Sequence, residues 1–281
     1  MQTCFVCGHT GLDPHFDLLL RCPACGFVTA RLDAQLDARS VYDSDYFTGG
    51  EYLDYRLDEA FFKKTFRPRL QQLLRRQPGG HLLEIGAAYG FFLDLAKAHF
   101  RVLGYEVNQA AARYAQETFG LDVRTDDFLV STANGLGDPI DVTVMWDVIE
   151  HLERPDLYLA RIAKLSRPGA SLYVTTGDIG SLVARVRGPK WRMIHPPTHV
   201  HYFSRATLSR LLENHGFRVL GMHSVGVARS VRQVLYAILV LRMGRPQAYA
   251  ALTKLVRPTW GFTLNTFDIM QVVAERMGSP S

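Results

Sequence analysis

The sequence has no long hydrophobic run. Its longest apolar stretch, "VLYAILVL" at 234–241, is eight residues, whereas crossing a bilayer as a helix takes about 18–20, so no transmembrane helix is expected. Cysteines and charges interrupt the first 25 residues, where the apolar core of a signal peptide would stand, and the chain reads as cytoplasmic. Blocks of one charge are also missing. Lys and Arg number 32 against 27 Asp and Glu, a net +5, and they are scattered rather than gathered into the basic stripes of nucleic-acid binders. Only 42–59 (acidic and aromatic) and 185–192 (basic) are biased. There are no internal repeats and no low-complexity tracts. With 47% hydrophobic residues over 281 positions, the chain is able to bury a sizeable core, which predicts one large domain with small additions.

Cysteine is scarce, and its placement is informative. All four fall within the first 25 residues, as Cys4-x2-Cys7-Gly8 and Cys22-x2-Cys25-Gly26. Each turn is able to present two thiolates to one face, and two turns supply the four sulfurs of a closed tetrahedral Zn2+ site. Disulfides are disfavoured in a cytoplasmic chain, and a redox motif would need only one pair. The pattern predicts a zinc ribbon over 1–30, with a hairpin between the two turns. Four filled positions leave no place for an activated water, so this zinc would serve folding or docking.

From Gly79 onward, apolar runs alternate with helical patterns, which predicts a parallel sheet covered by helices, an α/β fold. Strands are expected near 81–85, 101–105, 121–124, 140–146, 171–176, 217–225 and 267–275, and helices near 90–99, 108–119, 155–165 and 205–215. The division that follows is 1–30, an aromatic and acidic linker and lid at 31–78, and the main domain at 79–281 with a helical insertion at 227–260. The apolar part of that insertion reads first as a buried helix, and otherwise as a lid or a peripheral membrane-facing surface.

The stretch "HLLEIGAAYGFFLDLA" at 81–96 runs from a strand through two glycines into a helix, a ligand site in any α/β sheet. A dinucleotide fingerprint starting at Gly86 would need glycines where the chain has Ala88 and Phe91. What fits is Glu84-x-Gly86-x-x-x-Gly90, and it resembles motif I of the class I S-adenosylmethionine-dependent methyltransferases. Many of these have a third glycine at the place of Ala88. Glu106 stands at the end of the second strand, twenty residues after Gly86, the distance at which a carboxylate takes a ribose diol. The resemblance implies a Rossmann-like, seven-stranded, mostly parallel sheet. It also implies that Asp126, Asp127 and Phe128 meet the adenine, with the choice between the two aspartates open. "MWDVIEHL" at 145–152 resembles the family's D-x-x-E-H motif after the fourth strand, which places Trp146 and Asp147 beside the methyl donor. His151, four residues after Asp147, would share its side of a following helical turn.

The segment "WRMIHPPTHVHYFSRATLSRLLENHGF" at 191–217 sets His195, His199 and His201 around a double proline, then opens a helix with Ser204 as its N-cap. It resembles the P-x-H-x-x-Y-F-S element of a bacterial subgroup acting on sugars, quinones and other small molecules, which matches His199. A zinc triad of the three histidines is the poorer reading, because the loop is proline-fixed and no acidic ligand is near in sequence. The aromatics Tyr46, Phe47, Tyr52 and Tyr55 resemble a segment of the zinc-ribbon members and would either close over the site or pack the ribbon onto the main domain.

The resemblance implies methyl transfer to a small-molecule acceptor, with S-adenosylmethionine as donor. For a hydroxyl acceptor, His199 is the first candidate for the general base and His151 the second. Two other functions stand beside it. One is a ribosomal RNA methyltransferase docking RNA through the ribbon, against which stand the missing Asn-Pro-Pro-aromatic tetrapeptide and the missing basic run. The other is a binding module on a methyltransferase scaffold, against which stand the intact Gly86, Gly90 and Glu106.

Overall fold

The computed structural model describes residues 3–31, 54–131 and 139–278. Near the N-terminus, β1 (Asp13–His15), β2 (Leu19–Arg21) and β3 (Val28–Ala30) form an antiparallel sheet. The two Cys-x-x-Cys-Gly turns flank the β1–β2 hairpin, each closed by its glycine N–H donating to the carbonyl of the first cysteine (Gly8 to Cys4, 2.8 Å; Gly26 to Cys22, 2.9 Å).

The main sheet has seven strands: β4 (His81–Ile85), β5 (Arg101–Tyr105), β6 (Val123–Arg124), β7 (Ile140–Trp146), β8 (Ser166–Gly177), then, after β9 (His201–Tyr202) of the small sheet, β10 (Phe217–Ser224), and finally β13 (Ile269–Arg276). Their order is β10-β13-β8-β7-β4-β5-β6, with β13 antiparallel to both neighbours and the other pairings parallel. Central strands read as continuous apolar runs because helices cover both faces; Leu82, Leu83, Val142, Val144, Leu172 and Val174 are all buried. The neighbours of β4 are β5 on one side and β7 on the other, so the strand order reverses there and a crevice opens at their carboxyl ends.

Helix boundaries follow local chemistry. Asn108 caps Gln109–Phe119 by accepting from the Ala111 amide, and Gly120 ends it in the left-handed region. Pro155 opens Pro155–Leu165. The Ser204 hydroxyl accepts from the Thr207 amide while the Thr207 hydroxyl accepts from the Ser204 amide, a reciprocal cap on Arg205–Asn214.

Several sequence expectations need correction. The third strand is Val123–Arg124 alone, the fifth begins at Ser166, and the helix after the glycine turn is only Phe91–Ala96. The expected linker contains a long helix, Glu59–Leu74, which carries Pro68 internally and no clear polar face; residues 32–53, with Tyr46, Phe47 and Tyr52, lie outside the described residues. The insertion begins as a strand: β11 (Val227–Ser230) pairs with β12 (Gly261–Leu264), and helices Val231–Leu235, Tyr236–Arg242 (a π-helix) and Pro246–Thr253 lie between them. Nor is it a buried helix, since Ile238, Leu241, Met243, Leu252 and Leu255 are exposed. No helix among the described residues is long and apolar enough to cross a membrane.

The ribbon does not hang free. Cys4, Val6, Cys22 and Phe27 belong to the same buried cluster as Leu208, Leu211 and Leu212. In addition β3 pairs with β9, Val28 opposite Tyr202 and Thr29 opposite His201, so the ribbon's sheet ends on the strand that follows the histidine loop.

Candidate active site

The glycine turn is tied down from below: the Gly86 and Ala87 amides donate to the Tyr105 carbonyl (2.8 and 3.0 Å). Gly86 and Gly90 have φ of 73° and 76°, and neither site has room for a side chain. A Cβ on Gly86 would sit 2.5 Å from Val148 Cγ2, and one on Gly90 would sit 2.7 Å from Leu121 Cδ1. Ala88 also adopts positive φ, 46°, a conformation that costs a non-glycine residue about 1–2 kcal/mol. Its amide donates to Glu106 Oε2 (2.7 Å), and the Asn108 amide donates to Oε1 (2.8 Å). Glu106 is therefore fixed at both oxygens and buried. Burial pushes its carboxyl up, and the Asn108 and Ala88 amides oppose that rise.

Beyond β6, Asp126, Asp127 and Phe128 line the same cavity as the turn. Asp127 Oδ1 already accepts from the Leu129 amide (2.9 Å), whereas Asp126 is exposed to the cavity mouth. The Phe128 ring is buried between Tyr105 and Tyr158, with centroids at 5.1 and 5.5 Å. Trp146 and Asp147 lie on the other side of the crevice, as their place at the end of β7 requires. Asp147 has φ of 56° and its amide donates to the Thr175 hydroxyl (2.9 Å). The residues that follow make a tight turn rather than the expected helical one, closed by the His151 amide on the Val148 carbonyl (2.9 Å).

The cavity holds about 840 Å3, within the roughly 300–1,000 Å3 of small-ligand sites. Its wall carries buried polar atoms without hydrogen-bond partners: Arg69 Nη2, Glu84 Oε2, Trp146 Nε1, Asp147 Oδ1 and both oxygens of Glu150. Buried polar groups are normally paired, so their concentration on one cavity marks a place built for a polar ligand. Burial, then the charge of Glu106, pushes the Glu84 carboxyl well up. Burial pulls the Arg69 guanidinium down, while Asp147 and Tyr55 oppose that fall; its cation stands 4.9 Å over the Trp146 ring. Sequence reading missed Arg69, since one arginine inside an unforeseen helix carries no motif. Tyr55 lines the cavity too, stacked 3.9 Å from Phe62.

At the far end three histidines meet, and they are not the three that sequence spacing grouped. His151, His195 and His199 converge, with ring centroids 4.6 Å apart for His151–His199 and 3.9 Å for His195–His199. His151 Nδ1 donates to the Thr198 carbonyl (2.7 Å) and His199 Nδ1 to the Met193 carbonyl (2.9 Å). Burial is the main cause that pulls their pKa values down, to about 4 and about 2. His201 instead faces the ribbon, its Nε2 donating to the Glu153 carbonyl (3.2 Å) and its Nδ1 3.0 Å from the Thr29 hydroxyl. Glu150, present in the D-x-x-E-H motif but not singled out from it, lies under this cluster. Burial, then the neighbouring Asp147 charge, pushes its carboxyl up to about 8.

The four cysteine sulfurs are brought together, with Sγ–Sγ separations of 3.7 Å (Cys4–Cys25) and 3.5 Å (Cys7–Cys22) and no disulfide. Zinc–sulfur bonds of about 2.3 Å in a tetrahedron give sulfurs about 3.8 Å apart, so the donor set fits that ion.

A family profile described as a methyltransferase domain matches residues 56–221, more than half of the chain. The chain belongs to the methyltransferase-domain family. A Mycolicibacterium smegmatis protein named as a probable S-adenosylmethionine-dependent methyltransferase is 26% identical over 187 residues, 64% of this chain and 70% of that one. A ubiquinone biosynthesis O-methyltransferase of Brucella anthropi is 29% identical over 105 residues, 35% of this chain, and the match spans only 41% of that enzyme. Among solved structures, magnesium protoporphyrin IX methyltransferase of Synechocystis with bound S-adenosylhomocysteine superposes with a TM-score of 0.52 at 14% identity, over 85% of this chain and 100% of that one. An Archaeoglobus fulgidus methyltransferase gives 0.52 at 19%, over 79% and 99%. The fold is thus the Rossmann-like sheet of the class I enzymes, and the chain is an S-adenosylmethionine-dependent methyltransferase.

Proposed function

We propose that the methyltransferase binds its donor across the Gly86–Gly90 turn and methylates a hydroxyl of a small molecule, of the sugar, quinone or natural-product kind, admitted on the histidine side. One observation carries the reading: unpartnered buried groups of both signs, Arg69 Nη2 against Glu84 Oε2 and Asp147 Oδ1, face a single cavity. A zwitterionic amino-acid group partners all three, and each left unpaired would cost about 1–3 kcal/mol or more. In this assignment Glu106 takes the ribose diol, Phe128 lies against the adenine, and Asp126 rather than Asp127 meets its amino group, because one Asp127 oxygen is spent on Leu129. Trp146 and Asp147 border the sulfonium. Nothing in the turn suits a pyrophosphate, since the methyl of Ala88 stands where a phosphate would need bare backbone.

When bound, the donor supplies an electrophilic methyl carbon. The protein's part is to align the hydroxyl with that carbon and exclude water, which supplies much of the rate. His199, with His151 beside it, sits where the hydroxyl proton must be dealt with. Burial keeps both neutral. The four cysteines hold a structural Zn2+ in this reading, and the ribbon they close serves the histidine loop. The relatives named for ubiquinone biosynthesis O-methylation support an oxygen acceptor, while the scattered basic residues give RNA no track.

Calorimetric titration with S-adenosylmethionine tests the donor site. Wild-type protein should bind it, and Glu106→Ala should lose at least about a hundredfold in affinity, the low end of what two charge-assisted hydrogen bonds of about 1.5–3 kcal/mol each imply. Silence from the wild type at millimolar donor would end the reading, and undiminished affinity in the variant would remove Glu106 from the ribose.

A further inference from the structure

We propose that Glu150, His151 and His199 form a second metal site, for a divalent ion of the zinc type, at the acceptor end of the cavity. The proposal rests on the reading above for its purpose, and on geometry for its existence. One ligand atom from each of the three residues lies within 4.8 Å of the others. Both imidazoles have Nδ1–H committed to a backbone carbonyl, Thr198 for His151 and Met193 for His199. For His199 that leaves Nε2 as the atom carrying the lone pair, the arrangement by which protein carbonyls orient metal-bound histidines, and His151 has the same Nδ1 tether.

The third ligand is the telling one. Glu150 is 2% exposed; the Thr176 side chain approaches its carboxyl, but at a geometry that satisfies neither oxygen. A buried carboxylate in that state is costly unless a cation joins it. Among the described residues, the buried ionisable groups of the wall are the acids Glu84, Glu106 and Glu150 against Arg69 alone, besides His199; of the other arginines on the wall, Arg154 and Arg192 are held by Asp156 and Asp268, and Arg229 interacts with Asp58. Two imidazole nitrogens and one carboxylate oxygen are a donor set for zinc and its neighbours, and three protein ligands leave a position open to the cavity. The four-cysteine cluster, by contrast, is closed.

The second ion resolves a difficulty in the chemistry. A hydroxyl attacks poorly until it loses its proton, and a side-chain base need not be the group that prepares it. A divalent ion lowers the pKa of a coordinated hydroxyl instead, and the proton leaves to solvent as the acceptor binds. The alkoxide oxygen then forms its bond to the methyl carbon while the carbon–sulfur bond breaks, its electron pair staying on sulfur. His195, its ring tilted against that of His199 and tied by its Nδ1 to the Thr198 hydroxyl, is a positioning residue for this ligand.

Cobalt loading separates the two sites. Full-length protein equilibrated with Co2+ and desalted should carry two ions, one giving intense thiolate charge-transfer bands and one giving only weak d–d bands. Glu150→Gln and His199→Gln should each lose one ion and the second set of bands while keeping the thiolate bands. Equal cobalt content in wild type and both variants would overturn the proposal. So would full methyl transfer by protein whose only ion is the thiolate-bound one. Failure to bind the donor would strike the functional reading and leave the metal count legible.

A different surface carries a second inference: the 227–267 segment docks on an anionic lipid surface. It holds six Lys and Arg and no Asp or Glu, and it exposes Ile238, Leu241, Met243, Leu255, Trp260 and Phe262. Apolar side chains among cations, with no acid in the segment itself, are the composition of an interfacial anchor. Val227 and Arg229, at its start, line the cavity, so a lipophilic acceptor would pass from the surface to the site. The full chain should sediment with vesicles containing about 30% phosphatidylglycerol and stay in solution with phosphatidylcholine alone, with salt weakening the binding. Arg242→Glu with Lys254→Glu should abolish sedimentation without changing donor affinity. Equal sedimentation of wild type and variant, or none by either, would refute it.

Discussion

The two halves of the cavity are assembled by opposite routes. The half proposed for the donor comes from the carboxyl ends of successive parallel strands: Gly86–Gly90 after β4, Glu106 after β5, Asp126 and Phe128 after β6, each within a few residues of its strand. The acceptor half joins segments far apart in the chain. The turn at 147–151 meets the loop at 193–201 when the Val200 and His201 amides both donate to the Glu150 carbonyl (2.9 and 3.0 Å). That loop is held in turn by the Thr29 hydroxyl on the Val200 carbonyl (3.0 Å), and by Trp191, whose indole N–H reaches Asp268 (2.8 Å). The donor half is thus local and self-supporting, whereas the acceptor half depends on the ribbon.

The sharpest way to break that contrast is to remove the four-cysteine cluster proposed to hold zinc in the ribbon. Structural zinc contributes about 10–16 kcal/mol to small domains at neutral pH, so Cys22→Ser with Cys25→Ser should unfold the ribbon and release the histidine loop. Turnover should fall roughly a thousandfold, since even a 1 Å misplacement costs about a hundredfold, while donor affinity by calorimetry stays within about threefold. A parallel collapse of donor binding would show that the halves are one cooperative unit.

Next in size is His199→Ala, which leaves the ribbon in place and acts inside the acceptor half. Turnover should drop by about a hundredfold or more, whether the side chain works as base or as metal ligand. Donor titration should be unchanged. A kcat equal to wild type would move the chemistry to other groups, and the acceptor half would then be a binding surface only.

This local-versus-distant division also explains what could be seen in advance. Strands at 81–85, 101–105 and 140–146, the glycine turn and Glu106 were legible because period, spacing and a short motif fix them within about thirty residues. His199 and His151 were legible singly, but their meeting was not. Spacing alone would group His195, His199 and His201, and only the pairing of β9 with β3 turns His201 away toward Phe5 and Phe27, whose ring centroids lie 4.9 and 5.6 Å from it. Arg69 and Glu150 escaped for a related reason. Each matters because it is buried with polar atoms left unsatisfied, and satisfaction is a property of the folded chain.

The joint between ribbon and loop should leave a trace in acid. Burial lowers the His201 pKa from 6.5 to about 4, so between those values the unfolded chain binds a proton that the folded chain does not. Stability from this residue is complete above pH 6.5 and is lost as pH falls toward 4. Lowering pH from 7 to 5 should therefore cost about 2 kcal/mol through His201, and His201→Gln should flatten the denaturant-derived slope by that amount. An unaltered slope in the variant would place the acid sensitivity elsewhere in the cavity.

The smallest effect tests the donor half at the one place where its sequence departs from the motif. Ala88 holds φ of 46°, and relief of that strain by Ala88→Gly is worth about 1–2 kcal/mol, offset by about 0.5–1 kcal/mol of added freedom in the unfolded chain. The balance favours glycine by roughly 0.5 kcal/mol, a rise of about 1–2 °C in Tm for a domain of this size. Two residues earlier the reverse change should behave oppositely: Gly86→Ala carries the same left-handed strain and drives its Cβ to 2.5 Å from Val148 Cγ2, so destabilisation of about 2 kcal/mol or more is expected. Because the Ala88 amide donates to Glu106 whatever its side chain, donor affinity should survive Ala88→Gly and fall with Gly86→Ala. If Ala88→Gly instead lowers Tm, the methyl is contributing packing against the aromatic cluster of Tyr89 and Phe91 that outweighs the strain, and the turn owes its shape to that cluster rather than to its glycines.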